Sequence, residues 1–225
     1  MRYIFILIFL LSTFFSFAQD KEVLSKIPFS DKTIRAFIPP GYDTIMTVTG
    51  DLDKDNIADV AMVLKSLKED GDSARYLDSL PRRILLVLLK NEKGYYMVAG
   101  KSNQAIMGKD EGGIFGDPLA EIRIIKGILV IDHYGGSAWR WEYTHKFRFQ
   151  NNYVFLIGQT SDNYWNVKMC DKLGVAAGTD FEDINFVTGS YVTKKVSENC
   201  KLLENKKGKK PVKPLVKLED FTIIN

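Results

Sequence analysis

Histidine and cysteine are almost absent. The 225 residues hold two of each, His133 and His145, Cys170 and Cys200. A zinc centre takes three or four protein ligands, and no spacing nominates partners for two histidines. A reactive thiolate calls for a basic or imidazole environment, and neither cysteine has a His, Cys or basic cluster beside it in sequence. No glycine-rich loop follows a strand and opens a helix, so nucleotide binding has no support. Beyond residue 17 no apolar run approaches the ~20 residues that carry a helix across a bilayer. Helix-period patterning is scarce too; its best stretch, residues 20–26, is short.

The chain opens MRYIFILIFLLSTFFSFAQD. Arg2 supplies a positive start, residues 4–17 an apolar run, and Ser16-Phe17-Ala18 the small residues that precede a cut ahead of Gln19. This pattern reads as a signal peptide over 1–18. Residues 19–225 then form a single exported domain, periplasmic or secreted, with no transmembrane anchor after cleavage. No cysteine follows the cut, which excludes a lipid anchor there. In an oxidising compartment Cys170 and Cys200 are expected to form a disulfide, and closing a loop of about 30 residues contributes roughly 3–4 kcal/mol in the chain-entropy model.

Strand patterns dominate what is present. Residues 58–64, 83–90 and 95–101 are rich in Val, Leu, Ile and aromatics, the last two joined by NEKG, a hairpin turn. Segments 120–125 and 128–134 flank Lys126-Gly127, and 139–150 and 153–159 flank Asn151-Asn152, two further hairpin signals. Segments 185–188 and 191–196 flank Gly189-Ser190, and 215–224 is expected to close the chain as a strand. In Trp139–Gln150, Trp139, Trp141, Tyr143, His145, Phe147 and Phe149 alternate with polar residues, so a long strand buries one face. Hairpin after hairpin implies an all-β fold, an antiparallel meander of hairpins in a propeller-like or sandwich arrangement.

Residues 50–64, GDLDKDNIADVAMVL, place Asp51, Asp53, Asp55 and Asp59 at the mouth of an apolar strand. Carboxylates so crowded repel one another, and a divalent cation removes that cost. Numbered from Asp51, they occupy positions 1, 3, 5 and 9, and Ile57 at position 7 can offer its carbonyl. Calcium takes six to eight such oxygens, whereas magnesium demands a stricter octahedron. The loop is not an EF-hand: Met62 stands where a bidentate Glu is required, and a strand follows instead of a helix. The stretch resembles the calcium loop of FG-GAP or VCBS repeats, the integrin-α-type propeller repeats, with Asn56 where that pattern has Gly. More loosely, the whole chain resembles small exported bacterial proteins that carry one such loop. The resemblance covers about fifteen residues in one copy. It implies a structural Ca2+ site in a β context, and neither a complete propeller nor adhesion.

The remaining constellations are thin. His145 shares the aromatic face and reads as a core histidine. Asp132, His133 and Ser137 can be drawn as a hydrolase triad, but GGSAW lacks the G-x-S-x-G elbow, and Gly135-Gly136 reads as a tight connection. Glu121 and Glu142 can be paired as glycosidase acids only by separation in space. Tyr164-Trp165, after TSDN in an expected loop, are candidates for stacking against a ligand, although core packing is the commoner fate of such aromatics. Six lysines crowd NKKGKKPVKPLVK, read as a Lys-rich loop at 205–214; no aromatics interleave them, so nucleic acid is not an expected partner. The expected function is an exported non-enzymatic binding module for a glycan or protein partner. An envelope or polysaccharide hydrolase is the alternative, and a purely structural part of an envelope assembly is a third.

Overall fold

The structure, a computed structural model, describes residues 22–70 and 82–223. The expected signal peptide and its cleavage site lie outside the described residues. Twelve strands run in chain order among the described residues: β1 (Ser30–Asp31), β2 (Tyr42–Gly50), β3 (Asp59–Ser66), β4 (Ile84–Lys90), β5 (Tyr96–Ser102), β6 (Leu119–Ile125), β7 (Ile128–Gly136), β8 (Trp139–Gln150), β9 (Tyr153–Cys170), β10 (Val175–Asn185), β11 (Ser190–Val196) and β12 (Leu202–Lys209). They form two antiparallel sheets, β1-β5-β4-β3-β2 and β12-β11-β10-β9-β8-β7-β6. From β2 onward each strand pairs with its successor inside its sheet, so the meander is carried by hairpins. The main core lies between the sheets, joining Val63, Leu85 and Val87 of one to Leu129, Ile131, Phe147 and Leu156 of the other. This is a two-layer arrangement, not a ring of blades.

Local chemistry accounts for the strands. Strands β3 and β4 read as continuous apolar runs because both of their faces are covered. One face enters the main core, and Val60, Met62, Leu64, Leu86 and Leu88 meet Ile27 and Phe37 of the N-terminal segment in a second cluster. In β8 the alternation holds: His145 and Phe147 are buried, and Trp141 and Phe149 pack against the main core. The turns Lys126-Gly127 and Asn151-Asn152 have positive φ at all four residues, the geometry that matches the twist of a hairpin.

Several expectations need correction. Tyr164 and Trp165 lie inside β9, not in a loop, and that strand runs on to Cys170. Gly135 and Gly136 end β7 and make no connection; a β-carbon on Gly135 would meet the Trp141 ring at 2.3 Å, so glycine lets the indole lie flat across the neighbouring strand. The lysines at 205–209 belong to β12, paired with β11. Its alternation is masked in sequence because its residues are mostly exposed on both faces. Only 210–214 of the expected loop leave the sheet. The segment 215–224 is not a strand: over its described part a single bridge, Phe155 to Lys217, precedes a 3-10 turn at Leu218–Asp220, although Leu218, Phe221 and Ile223 are buried in the core.

The disulfide Cys170–Cys200 is formed, with Cα atoms 5.3 Å apart. It staples the β9–β10 hairpin to the β11–β12 connection beside Ala177, Val196 and Trp165.

Candidate functional site

The acidic loop is the tip of the β2–β3 hairpin, where Gly50 pairs with Asp59 and residues 51–58 bridge the strand ends. Lys54 and Asn56 adopt φ of 70° and 67°, winding the loop so that alternate side chains point inward; Asn is among the few non-glycine residues that tolerate this region. Leu52 plugs into the main core. Gly127, in the β6–β7 turn, packs so closely that a β-carbon there would lie 3.6 Å from the carbonyl oxygens of Asp51 and Leu52. The loop therefore grows from the smaller sheet and rests on the larger one.

Within it, Asp51, Asp53 and Asp59 each offer a carboxylate oxygen, all within 4.8 Å of one another. Backbone N–H groups orient these carboxylates. Asp51 accepts from Lys54 at 2.6 Å and Asn56 at 3.1 Å, Asp53 from Asp55 at 3.2 Å, and Asp59 from Leu52 at 2.7 Å and Lys90 at 2.9 Å. Each carboxylate oxygen has more than one lone pair, so these bonds leave acceptor capacity for a cation. Asp55 is outside the triad; it is exposed and accepts from the Ile57 N–H at 2.7 Å.

The electrostatics are uncompensated by protein. Asp59 is fully buried at 0% exposure, and among the described residues none of the four aspartates is ion-paired with Lys or Arg. Burial above all, then the charges of Asp55 and Asp51, push the Asp53 carboxyl upward, against the pull of the Asp55 N–H. Burial likewise raises Asp59, reinforced by Asp53 and Asp55 and opposed by the N–H groups of Lys90 and Leu52. A buried carboxylate without a countercharge is costly. Hard oxygen donors around a focus of negative charge are the donor set of Ca2+, and the residues present fit that ion.

The other sequence candidates are dispersed. Asp132 and His133 point to opposite faces of β7. The Asp132 carboxylate accepts from Thr144 Oγ1 at 2.5 Å and pairs with Arg123 on the outer face. His133 is buried in the interior, its Nε2 accepting from the Met107 N–H at 3.4 Å. No triad with Ser137 exists. Burial pushes His133 down to about 3 and His145 to about 4, so both are neutral core imidazoles. Glu121 and Glu142 do not meet: β7 separates their strands, and Glu121 binds Arg123 at 2.5 Å. Tyr164 and Trp165, adjacent on a strand, face opposite ways. Trp165 packs beside the disulfide, and Tyr164 donates from its hydroxyl to Glu142 Oε1 at 2.9 Å.

Two polar constellations escape the sequence. Arg83, 2% exposed, donates to Glu69 through Nε and Nη2 and to Asp117 through Nη1 and Nη2, tying the 3-10 turn Leu67–Asp70 to the segment before β6. On the outer face of the larger sheet, the Arg140 guanidinium lies 4.1 Å from the Phe115 ring centroid and 6.0 Å from that of Tyr134. Beside it Asp162 pairs across strands with Glu142. Burial, then the charges of Glu142 and Asp180, push Asp162 up to about 6, and its Oδ1 has no hydrogen-bond partner. Burial and Glu142 also raise the Tyr164 phenol. Only spacing across three strands joins these residues, so no local signal announces them.

Comparison with family models, with curated proteins and with solved structures finds no match.

Proposed function

We propose that the chain is an exported, non-enzymatic β-domain that holds a structural Ca2+ ion in the β2–β3 loop and binds a glycan or protein partner. One observation carries the metal: the carboxylates of Asp51, Asp53 and Asp59 converge, and no basic side chain among the described residues balances them. Asp55 and the Ile57 carbonyl, positions 5 and 7 of the same loop, would be further donors. The resemblance to FG-GAP and VCBS loops supports the same reading, as does a chain opening like a signal peptide. The ion's role is mechanical, since it would lock a loop that springs from one sheet and leans on the other. Titration calorimetry with Ca2+ and Mg2+ tests this: binding of Ca2+ at one site, lost in Asp53→Asn, is expected, and no heat with either ion overturns it.

The outer face of the larger sheet is the proposed partner surface. Phe115 and Tyr134 offer aromatic rings and Arg140 a planar guanidinium lying over them, while Glu142, Tyr164 and Asp162 offer hydrogen-bonding groups, the mixture that recognises a sugar ring. Glycan-array binding that disappears in Arg140→Ala and survives in a distant surface variant is the expected result.

A hydrolase is the second reading, and one observation favours it. Glu142 and Asp162 are cross-strand neighbours, and a carboxyl raised by burial, as Asp162 is, beside a second carboxyl is an arrangement that acid–base hydrolysis of a glycoside uses. Turnover of a polysaccharide that is abolished by both Glu142→Gln and Asp162→Asn would favour this reading over simple binding.

A further inference from the structure

The larger sheet is wider than the smaller one, and part of its inner face is roofed by the chain's last crossing instead. Residues 210–216, KPVKPLV, form a strap over that area. It is fastened at its two ends, where the Lys210 N–H donates to the Gly189 carbonyl at 2.8 Å and the Val216 carbonyl accepts from Leu156 N–H at 2.9 Å. Residues 211–215 make no hydrogen bond among the described residues. Pro211 and Pro214 have no N–H to give and hold the backbone extended, so the strap stands off the sheet.

Beneath it lies a cavity of about 470 Å³, inside the ~300–1,000 Å³ range of small-molecule sites. Leu156, Ile184 and Phe186 form its floor, and Val212, Leu215 and the prolines its roof. No Asp or Glu lines it; its charged lining residues are Lys210 and Lys213. Lys210 is shared with a neighbouring polar cavity of about 300 Å³ and pairs with Glu182 at 2.5 Å. Lys213 is exposed and has no ion pair among the described residues. An open apolar chamber with cations at its margin and no anion in its wall selects a molecule with an apolar body and one negative end.

We infer that the cavity under the strap binds a single-chain anionic amphiphile, its acyl chain against Leu156, Ile184 and Phe186 and its head group on Lys213 and Lys210. The head group's chemistry is a carboxylate or a phosphate; a free fatty acid and a lysophospholipid would both supply it. This site is separate from the acidic loop and from the outer sheet face, and it stands whether or not those bind anything.

The test uses the full chain, purified with its disulfide intact and loaded with a dansyl-labelled fatty acid. Dodecanoate, dodecanol and lysophosphatidylglycerol are then compared as displacers. Dodecanoate is expected to displace the probe at least about tenfold more tightly than dodecanol, the worth of one charge-assisted contact. Lys213→Glu should remove about that factor for dodecanoate while leaving dodecanol and thermal stability unchanged. Ile184→Trp, which fills the floor, should abolish displacement by both. Should that variant fail to fold, Val212→Asp on the exposed strap must weaken binding in its place. Tighter competition by the lysophospholipid than by dodecanoate assigns the source to lipid, and the reverse to free fatty acid. No uptake of the probe, equal displacement by acid and alcohol, or full binding by both cavity variants overturns the inference.

Discussion

Gly50 and Ile124 touch with no side chain between them: a β-carbon on Gly50 would lie 2.7 Å from Ile124 Cγ2 and 2.8 Å from its Cβ. The contact joins the end of β2 to β6 of the opposite sheet, immediately before the acidic loop. Because the branched Cβ of Ile124 cannot rotate away, Gly50→Ala is expected to destabilise the fold by about 1–3 kcal/mol through overpacking. Ile124→Ala in the same chain should recover part of that loss, so the two substitutions will not add. Urea unfolding of the wild type and the three variants reads the coupling directly, and strictly additive losses would show that the two sheets do not bear on each other here.

The acidic loop makes a conditional prediction. An ion at a hundred times its dissociation constant stabilises the native state by about 2.7 kcal/mol. The wild-type midpoint should therefore rise by several degrees in millimolar calcium. Asp53→Asn should cancel that rise and, under chelator, match or exceed wild type, since burial and its acidic neighbours already disfavour its charge. Equal destabilisation of the variant in calcium and in chelator would mean the aspartates serve the turn alone.

Arg83 gives a prediction independent of any ligand. Burial works against its charge, but hydrogen bonds to Asp117 and Glu69 more than offset this and hold its pKa above the ordinary guanidinium value. Arg83→Met strands Glu69, itself 4% exposed, and should cost about 3–5 kcal/mol. Replacing both partners, as Arg83→Met with Glu69→Leu, should cost much less, because an apolar pair leaves no buried charge. A double variant as unstable as the single one would contradict this.

The two core histidines set an acid limit. Folded, His133 titrates near 3 and His145 near 4, against about 6.5 when unfolded. Between those values the unfolded chain binds more protons, so their contribution is complete above pH ~6.5 and is lost as pH falls toward 4. Asp162, raised to about 6, has the opposite sign and offsets part of the loss over the same window. Each imidazole supplies a slope of up to about 1.4 kcal/mol per pH unit near pH 5. Denaturant titrations from pH 4.5 to 7.5 should show a clearly flatter profile in His145→Leu than in wild type, and an identical profile would exclude the mechanism.

What was legible in the chain was whatever is local. Alternating aromatics from Trp139 to Phe149 and the pairs Lys126-Gly127 and Asn151-Asn152 carry their geometry within a few residues, and strands and turns appear where they predict. The spacing of Asp51, Asp53 and Asp59 is local in the same sense, and the three carboxylates do converge. Patterns fail where a residue's surroundings come from elsewhere. The far half of β9 leaves Val167 and Met169 exposed, so its alternation marks no core face; Tyr164 and Trp165, following TSDN, then read as loop. In the last segment Leu218, Phe221 and Ile223 bury like strand residues, yet one turn of 3-10 helix delivers them. Arg83 meets partners 14 and 34 residues away, and Arg140 stacks on a ring 25 positions back, distances at which no spacing rule operates.

Strand β12 closes the larger sheet with eight residues and one open side. An unpaired row of N–H and C=O groups of that length is a template on which a second copy could add its own strand. Lys206, Lys207 and Lys209 stand along it, and two such edges brought together would set like charges face to face. The lysine cluster thus works as a guard against edge-to-edge polymerisation. Neutralising it, by acetylation or by polyanions, would remove that barrier and leave the edge free to pair with another copy.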